Sequence, residues 1–211
     1  MTSRRGLFIT FEGTDGVGKS TNLNFFSNLV KEHGISVEIS REPGGTPLGE
    51  QIRSILIDDS LDSMTSTSEL LLILAARANH ISSRIEPALA AGSWFLCDRF
   101  SDATYAYQGG GRQINSSVIH ELEKLVNIDL SPNFTFLFDA PPEIGLTRAG
   151  QRSEPDRFEK EELDFYRRVR SAYLELVKNN PESRLLIDAT LSISSIQEIL
   201  RKQFYTLLGS W

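Results

Sequence analysis

Apolar residues in this chain gather in two rhythms. Short unbroken runs occur at 6–13 (GLFITFEG), 94–99 (WFLCDR), 134–140 (FTFLFDA) and 184–189 (RLLIDA), with a weaker fifth at 36–42 (SVEISRE). Runs of this length, rich in Phe, Ile and Leu, read as strands buried on both faces. Between them lie longer segments with apolar residues three or four apart, at 20–33, 66–91, 116–126, 159–179 and 192–208. These read as helices. Strands alternating with helices predict right-handed βαβ units, hence an α/β fold with a parallel sheet covered on both faces. No repeat, low-complexity tract or linker interrupts the pattern, so residues 1–211 are expected to form one domain.

In such sheets ligands bind outside the carboxyl ends of the strands. Charged residues collect at those ends: Glu12 and Asp15, Arg41 and Glu42, Asp98 and Arg99, and Asp139. After the first strand, Gly13, Thr14, Asp15, Gly16, Val17, Gly18, Lys19 and Ser20 fit G-x-x-x-x-G-K-[ST] without a mismatch, with Thr21 following. Glycines let successive backbone N–H groups point inward as a nest for phosphate oxygens, and the next helix adds its positive end. Lys19 is expected to reach the β- and γ-phosphates and Ser20 to hold Mg²⁺. A strand-end aspartate should assist the metal. Asp98, followed by Arg99, is preferred to Asp139, which precedes "APP" and reads as a turn into a helix.

Composition narrows the class. Hydrophobic residues make up 40% and charged residues 24%, as in ordinary globular domains, and a net charge of −6 argues against a nucleic-acid polymer as partner. The lone cysteine, Cys97, suits a reducing cytoplasm; no stretch has membrane-spanning length, and the apolar run near the N-terminus is too short for a signal peptide and carries Glu12. A cytoplasmic domain is expected. A guanine-reading N-K-x-D is missing after Lys19, which disfavours a GTP-dependent switch. Arginines point instead to phosphoryl transfer, since moving a phosphoryl group between two anions needs several cations. Arg41, Arg53, Arg77, Arg99, Arg148, Arg152 and Arg157 fall near strand ends, loops or helix starts. The polar segment 147–161, broken by Pro155, reads either as a mobile lid or as an ordinary connection. His33, His80 and His120 all fall in helical patterns, away from the expected site. A phosphate acceptor, already ionised, needs no strong base.

The chain resembles bacterial thymidylate kinases over nearly its whole length. The residues that carry the resemblance are FEGTDGVGKST (11–21), REPGGTPLGEQIR (41–53), AAR (75–77), DRFSDATYAYQGGGR (98–112) and DRFE (156–159). It implies a three-layer P-loop nucleoside-monophosphate-kinase fold with a five-stranded parallel sheet, Mg²⁺ as cofactor, ATP and dTMP as substrates, and a homodimer. Arg41, Glu42, Arg53 and Arg99 resemble the set holding the dTMP phosphate and sugar. Arg77, Thr104 and Gln108 match thymine-contacting positions, and Tyr107 an aromatic position beside the ribose. Lys19, Asp15, Arg99 and Arg152 match the catalytic group, with a lid over about 147–158. Two positions separate this chain from other members: Gly16 stands where some carry a phosphate-loop arginine, and Ile73 stands where a phenylalanine usually stacks on the base.

Overall fold

The computed structural model describes residues 4–58, 60, 64–127, 130–151 and 157–211. Among them five parallel strands form one sheet: β1 (Phe8–Glu12), β2 (Val37–Arg41), β3 (Trp94–Asp98), β4 (Phe134–Asp139) and β5 (Arg184–Asp188), in the order β2-β3-β1-β4-β5. Every strand expected from the apolar runs is present. The weakest of them, β2, lies at a sheet edge, where partial exposure dilutes the apolar signal.

Alternation along the strands sorts the core into layers. Ile9, Phe11, Trp94, Leu96, Phe136 and Phe138 face one side, where α1 (Lys19–Glu32) and α9 (Ile193–Ser210) contribute Phe26, Leu29, Leu200 and Phe204. Phe8, Phe95 and Cys97 face the other, against Ile81, Ile85 and Leu89. Also on that side, Leu137 meets Tyr107, Phe165, Tyr166, Val169 and Tyr173. Phe11 stacks 6.0 Å from Phe138, and Phe26 lies edge-on to Phe136 at 5.3 Å. Truncating one such ring to alanine costs about 3–5 kcal/mol, because the packed layer cannot collapse into the gap.

The remaining helices are α2 (Pro47–Ile57), α3 (Ser66–His80), α4 (Glu86–Ala90), α5 (Ser101–Thr104), α6 (Ser116–Asn127), α7 (Pro142–Gly150) and α8 (Leu163–Asn179). The single helix expected over 66–91 is α3 and α4 joined through a π-helical turn at Ile81–Ile85, and the helix expected from 159 begins at Leu163. Helix α2 escaped the pattern reading because glycine and proline crowd its first turn, yet Pro47 suits that position and Thr46 Oγ1 accepts from Gly49 N at 2.9 Å to cap it. A second π-helical stretch, Tyr105–Gly111, follows α5 and carries Tyr107 and Gln108.

Candidate active site

The order of the sheet puts β1 between β3 and β4, so the loop after β1 emerges beside the end of β3. That loop turns on backbone only glycine tolerates. Gly16 has φ +75, and a Cβ there would stand 2.0 Å from the carbonyl oxygen of Gly145. Helix α1 then starts from Gly18 in the left-handed region with no side chain capping it among the described residues, whereas Thr46, Thr65 and Ser192 cap α2, α3 and α9. Its first N–H groups are left for an anion. A cleft opens there, lined by Asp15, Gly16, Gly18, Lys19, Ser20 and Thr21 together with Arg41, Asp98 and Arg99. Thr14 is buried in the loop, Val17 packs into the core, and Gly13 abuts the Phe138 carbonyl.

Lys19 is almost fully enclosed, and its Nζ donates to the carbonyls of Gly13 at 3.1 Å and Thr14 at 2.8 Å. Burial, with repulsion from Arg99, holds its pKa below the ordinary lysine value, offset in part by Asp98, Asp15 and Glu12. Ser20 Oγ donates to Asp98 Oδ2 at 3.3 Å. Asp139, the rival metal ligand, is committed elsewhere: both its oxygens accept from Arg170 at 2.8 Å.

Arg99 adopts φ +73 immediately after β3, an uncommon conformation for an arginine. The turn is tied down by Glu12, whose Oε1 accepts from Phe100 N at 2.7 Å and whose Oε2 accepts from Tyr173 at 2.9 Å. So aimed, Arg99 donates to Asp15 Oδ1 at 2.8 Å, with its guanidinium 4.7 Å from the Tyr107 ring centre. Tyr107 donates to Asp15 Oδ2 at 3.2 Å. Burial alone would raise the Asp15 pKa, but Arg99 and Lys19 overcome it and bring it to about 2. Glu12 goes the other way: burial and the charge of Asp102 push it to about 8.

A second cavity adjoins the cleft and runs deep, to the buried side chains of Arg77, Thr104 and Gln108. Ile73, Arg77, Phe100, Ala103, Thr104, Tyr107, Gln108 and Phe158 line it, and Asp15, Glu42, Arg53 and Arg99 line both cavities. Arg77 is buried, with Nε donating to Glu42 at 2.7 Å, Nη1 to Glu123 at 2.6 Å and Nη2 to Thr104 Oγ1 at 2.9 Å. Its guanidinium lies 4.7 Å from the Phe100 ring centre. Arg53 donates to the Pro43 carbonyl at 3.1 Å.

The structure therefore gathers the phosphate loop, Arg53, Ile73, Arg77, Arg99, Thr104, Tyr107 and Gln108 around two joined cavities. Three expectations change. Arg41 lines the outer cleft rather than the deep cavity and pairs with Glu50 at 2.8 Å. Glu42 borders the site, but its carboxylate is occupied by Arg77 and by His80, whose Nδ1 lies 2.8 Å away. His80 thus backs Glu42 without lining either cavity. Of the lid arginines, Arg148 donates to the Ala189 carbonyl and Arg157 to Glu69 and the Leu56 carbonyl; neither lines the phosphate cleft. Arg152 and Pro155 lie outside the described residues. Glu69, Arg112 and Glu123 were missed, and Glu12 was placed at a strand end without its partners, because single polar residues within apolar or helical segments carry no local signal of long-range pairing.

The fold and the two joined cavities define a phosphate-loop nucleotide-binding protein with a second pocket for an acceptor. A model of the thymidylate kinase family matches residues 11–199. Curated thymidylate kinases are similar along most of their length: that of Pseudomonas putida strain F1 is 50% identical over 192 residues, 91% of each chain. That of Pseudomonas syringae pv. tomato is 49% identical over 203 residues, 96% of this chain and 97% of its own. The crystal structure of thymidylate kinase from Ehrlichia chaffeensis superposes with a TM-score of 0.78 at 34% identity, covering 95% of this chain and 99% of its own. The chain belongs to the thymidylate kinase family, and its fold is that of the P-loop nucleoside-monophosphate kinases.

Proposed function

We propose that this chain phosphorylates dTMP to dTDP with ATP as donor, a step of dTTP synthesis, by direct in-line transfer. The observation that carries the reading is the sharing of Asp15, Arg53 and Arg99 by the phosphate-loop cleft and the deep cavity. A donor phosphate in one and an acceptor phosphate in the other meet at two guanidinium groups. Transfer between two anions is limited by alignment and by charge on the moving group, and those cations address both. The acceptor oxygen is ionised at neutral pH, so Asp15 needs no proton-accepting role; it fixes Arg99 and Tyr107. Lys19 exchanges its two loop carbonyls for phosphate oxygens when nucleotide enters.

The donor set fits Mg²⁺. Among the described residues no cluster of three acidic, histidine or cysteine side chains offers a closed cage, while Ser20 and Asp98 present hard oxygens at the cleft edge. Mg²⁺ is commonly held by one or two protein oxygens, with phosphates and water supplying the rest. When bound, it supplies charge neutralisation at the β- and γ-phosphates.

In the deep cavity Arg77, Thr104 and Gln108 provide the polar edge for thymine, and Ile73 part of the apolar wall. Tyr107 stands beside the sugar. A homodimer is part of the same reading, supported by exposed Leu48 and Ile55 on α2, Leu71 on α3, and Val118 and Leu125 on α6. Light scattering tests it directly. The activity is tested by ADP release with dTMP, dUMP, dGMP, UMP, AMP and free thymidine as acceptors. Preference for dTMP supports the reading; equal or better use of another acceptor overturns it. No helix among the described residues is long and apolar enough to cross a membrane, and a cytoplasmic location remains part of the proposal.

A further inference from the structure

Position 73 gives the deep cavity an aliphatic side chain, yet a ring lines the same cavity from another segment. Phe158 borders it together with Ile73, Thr104, Tyr107 and Gln108. Its side chain packs on the cluster of Ile52, Leu56, Ile73 and Ala76 and on the cluster that holds Tyr107. Its ring centre is 6.1 Å from that of Tyr107, edge to face at 83°. Phe158 therefore spans the α3 wall and the Tyr107 wall.

The placement of Phe158 depends on a carboxylate that does not line the cavity. Glu69, 1% exposed, accepts from Arg157 Nη2 at 2.7 Å and from Arg112 Nη2 at 3.1 Å. Both guanidinium groups lie over the Phe158 ring, Arg157 at 4.6 Å and Arg112 at 5.8 Å from its centre. Arg157 Nε also donates to the Leu56 carbonyl at 2.8 Å, Arg112 pairs with Glu161, and Tyr166 donates to the Phe158 carbonyl at 3.0 Å. The other Glu69 oxygen accepts from Gln108 Nε2 at 2.9 Å, which sets the orientation of that amide. One buried carboxylate thus fixes both a ring and an amide that face the same cavity. A charge enclosed this fully is tolerated only when paired and hydrogen-bonded throughout, so the arrangement is rigid.

We propose that Phe158 is the aromatic wall against which the acceptor base packs, in place of a ring at position 73, and that Glu69 is the positioning residue that holds Phe158 and Gln108 in register. The proposal rests on reading the deep cavity as the dTMP site. A ring offers a base an offset or edge contact beyond area burial, whereas leucine offers area alone.

Calorimetric titration with dTMP, steady-state kinetics and melting temperatures for Phe158→Leu, Phe158→Tyr, Glu69→Gln and the Phe158→Leu/Glu69→Gln pair test it. Phe158→Leu should raise the Kd for dTMP about three- to tenfold, with the loss falling on KM rather than kcat. Phe158→Tyr should stay within about twofold of the parent. Glu69→Gln should weaken dTMP binding about as much as Phe158→Leu, and the pair no more than the larger single effect. If Glu69→Gln does not fold, Arg157→Met, which leaves Glu69 paired with Arg112, carries the same expectation. Unchanged dTMP affinity in Phe158→Leu, additive losses in the pair, or a Glu69→Gln protein that melts earlier but binds dTMP normally would each overturn the proposal. Should the parent enzyme prefer another monophosphate, the acceptor reading fails by itself, and the same comparison made with that monophosphate still decides the role of Phe158.

Discussion

Arg99 Nη2 donates to Asp15 Oδ1 across 2.8 Å, joining the end of β3 to the phosphate loop that follows β1. Replacing Arg99 with alanine removes a cation shared by both cavities, and replacing Lys19 removes the cation within the loop. Loss of one such electrostatic stabiliser costs roughly 10²–10³ in rate. Arg99→Ala and Lys19→Ala should each lose at least about a hundredfold in kcat with circular dichroism unchanged, and near-normal turnover in either would remove it from the catalytic set.

Asp15 titrates at about 2 in the folded chain, below its ordinary 3.8, because Arg99 and Lys19 outweigh burial. A depressed carboxylate contributes stability above its unfolded pKa, and the contribution fades only as pH falls through the folded value. Asp15 is therefore fully ionised wherever the enzyme is assayed. Asp15→Asn should slow turnover about tenfold or more by releasing Arg99, and the pH profile of kcat/KM between about 6 and 9 should keep its shape. A titrating limb that disappears in the variant would identify Asp15 as a base.

Glu12 is the opposite case. Its folded pKa, about 8, exceeds its ordinary 4.5, with burial the main cause and Asp102 adding to it. Arg99, Tyr173 and the Phe100 amide oppose the rise without cancelling it. The folded chain thus binds a proton that the unfolded chain releases between those values, so stability falls as pH rises from about 4.5 to 8. Glu12→Gln keeps an acceptor for Phe100 N without the titration. The melting temperature of Glu12→Gln relative to the parent should therefore climb from pH 5 to pH 8.5, by about 2–4 °C per kcal/mol in a domain of this size. A pH-independent difference would mean that Glu12 does not titrate there.

Arg77 holds Glu42, Glu123 and Thr104 from a position only 1% exposed. Arg77→Met would leave Glu123 without its paired cation and Glu42 with His80 alone. Breaking a buried ion pair from one side costs about 3–5 kcal/mol. The expected result is a melting temperature lowered by roughly 10 °C or more, together with a higher KM for dTMP. Urea denaturation and dTMP kinetics check the two effects separately.

At position 73 the structure gives a sign. Ile73 lines the cavity and shares its cluster with Phe158, so a ring at this position would reach into the space read as the base site. Ile73→Phe should weaken dTMP binding severalfold, because the added ring competes with the base for the space beside Phe158. Tighter binding would show that the cavity wall yields.

What could be foretold from sequence followed from the range of the interactions involved. The phosphate loop was legible because its demands are local: glycines where φ must be positive, and lysine and serine at fixed offsets. Strands β1, β3 and β4 were legible because they are buried on both faces, with apolar runs broken only by threonine before the terminal acid. The preference for Asp98 over Asp139 rested on a neighbouring arginine, and the pairing of Asp139 with Arg170 is consistent with it. By contrast, Glu69 reaches Arg157 across 88 residues and Glu42 reaches Arg77 across 35. Pairings of that kind depend on which helices become neighbours, and no periodicity records them. The contact of His80 with Glu42, across 38 residues, is of the same kind.

The contact of Gly16 with Gly145 leaves a mark on what mutation can reach. The two residues belong to segments far apart in the chain, yet neither accepts a side chain: a Cβ on Gly16 would meet Gly145 O at 2.0 Å, and a Cβ on Gly145 would meet Asp15 O at 2.6 Å. Each is held to glycine by the backbone of the other's segment. Substituting either pushes α7 away from the phosphate loop, because the atom met is a backbone oxygen that no substitution at the other position removes. Extra positive charge for the cleft must therefore come from across it rather than from position 16, and a resistant variant selected against a cleft-filling inhibitor should spare both glycines.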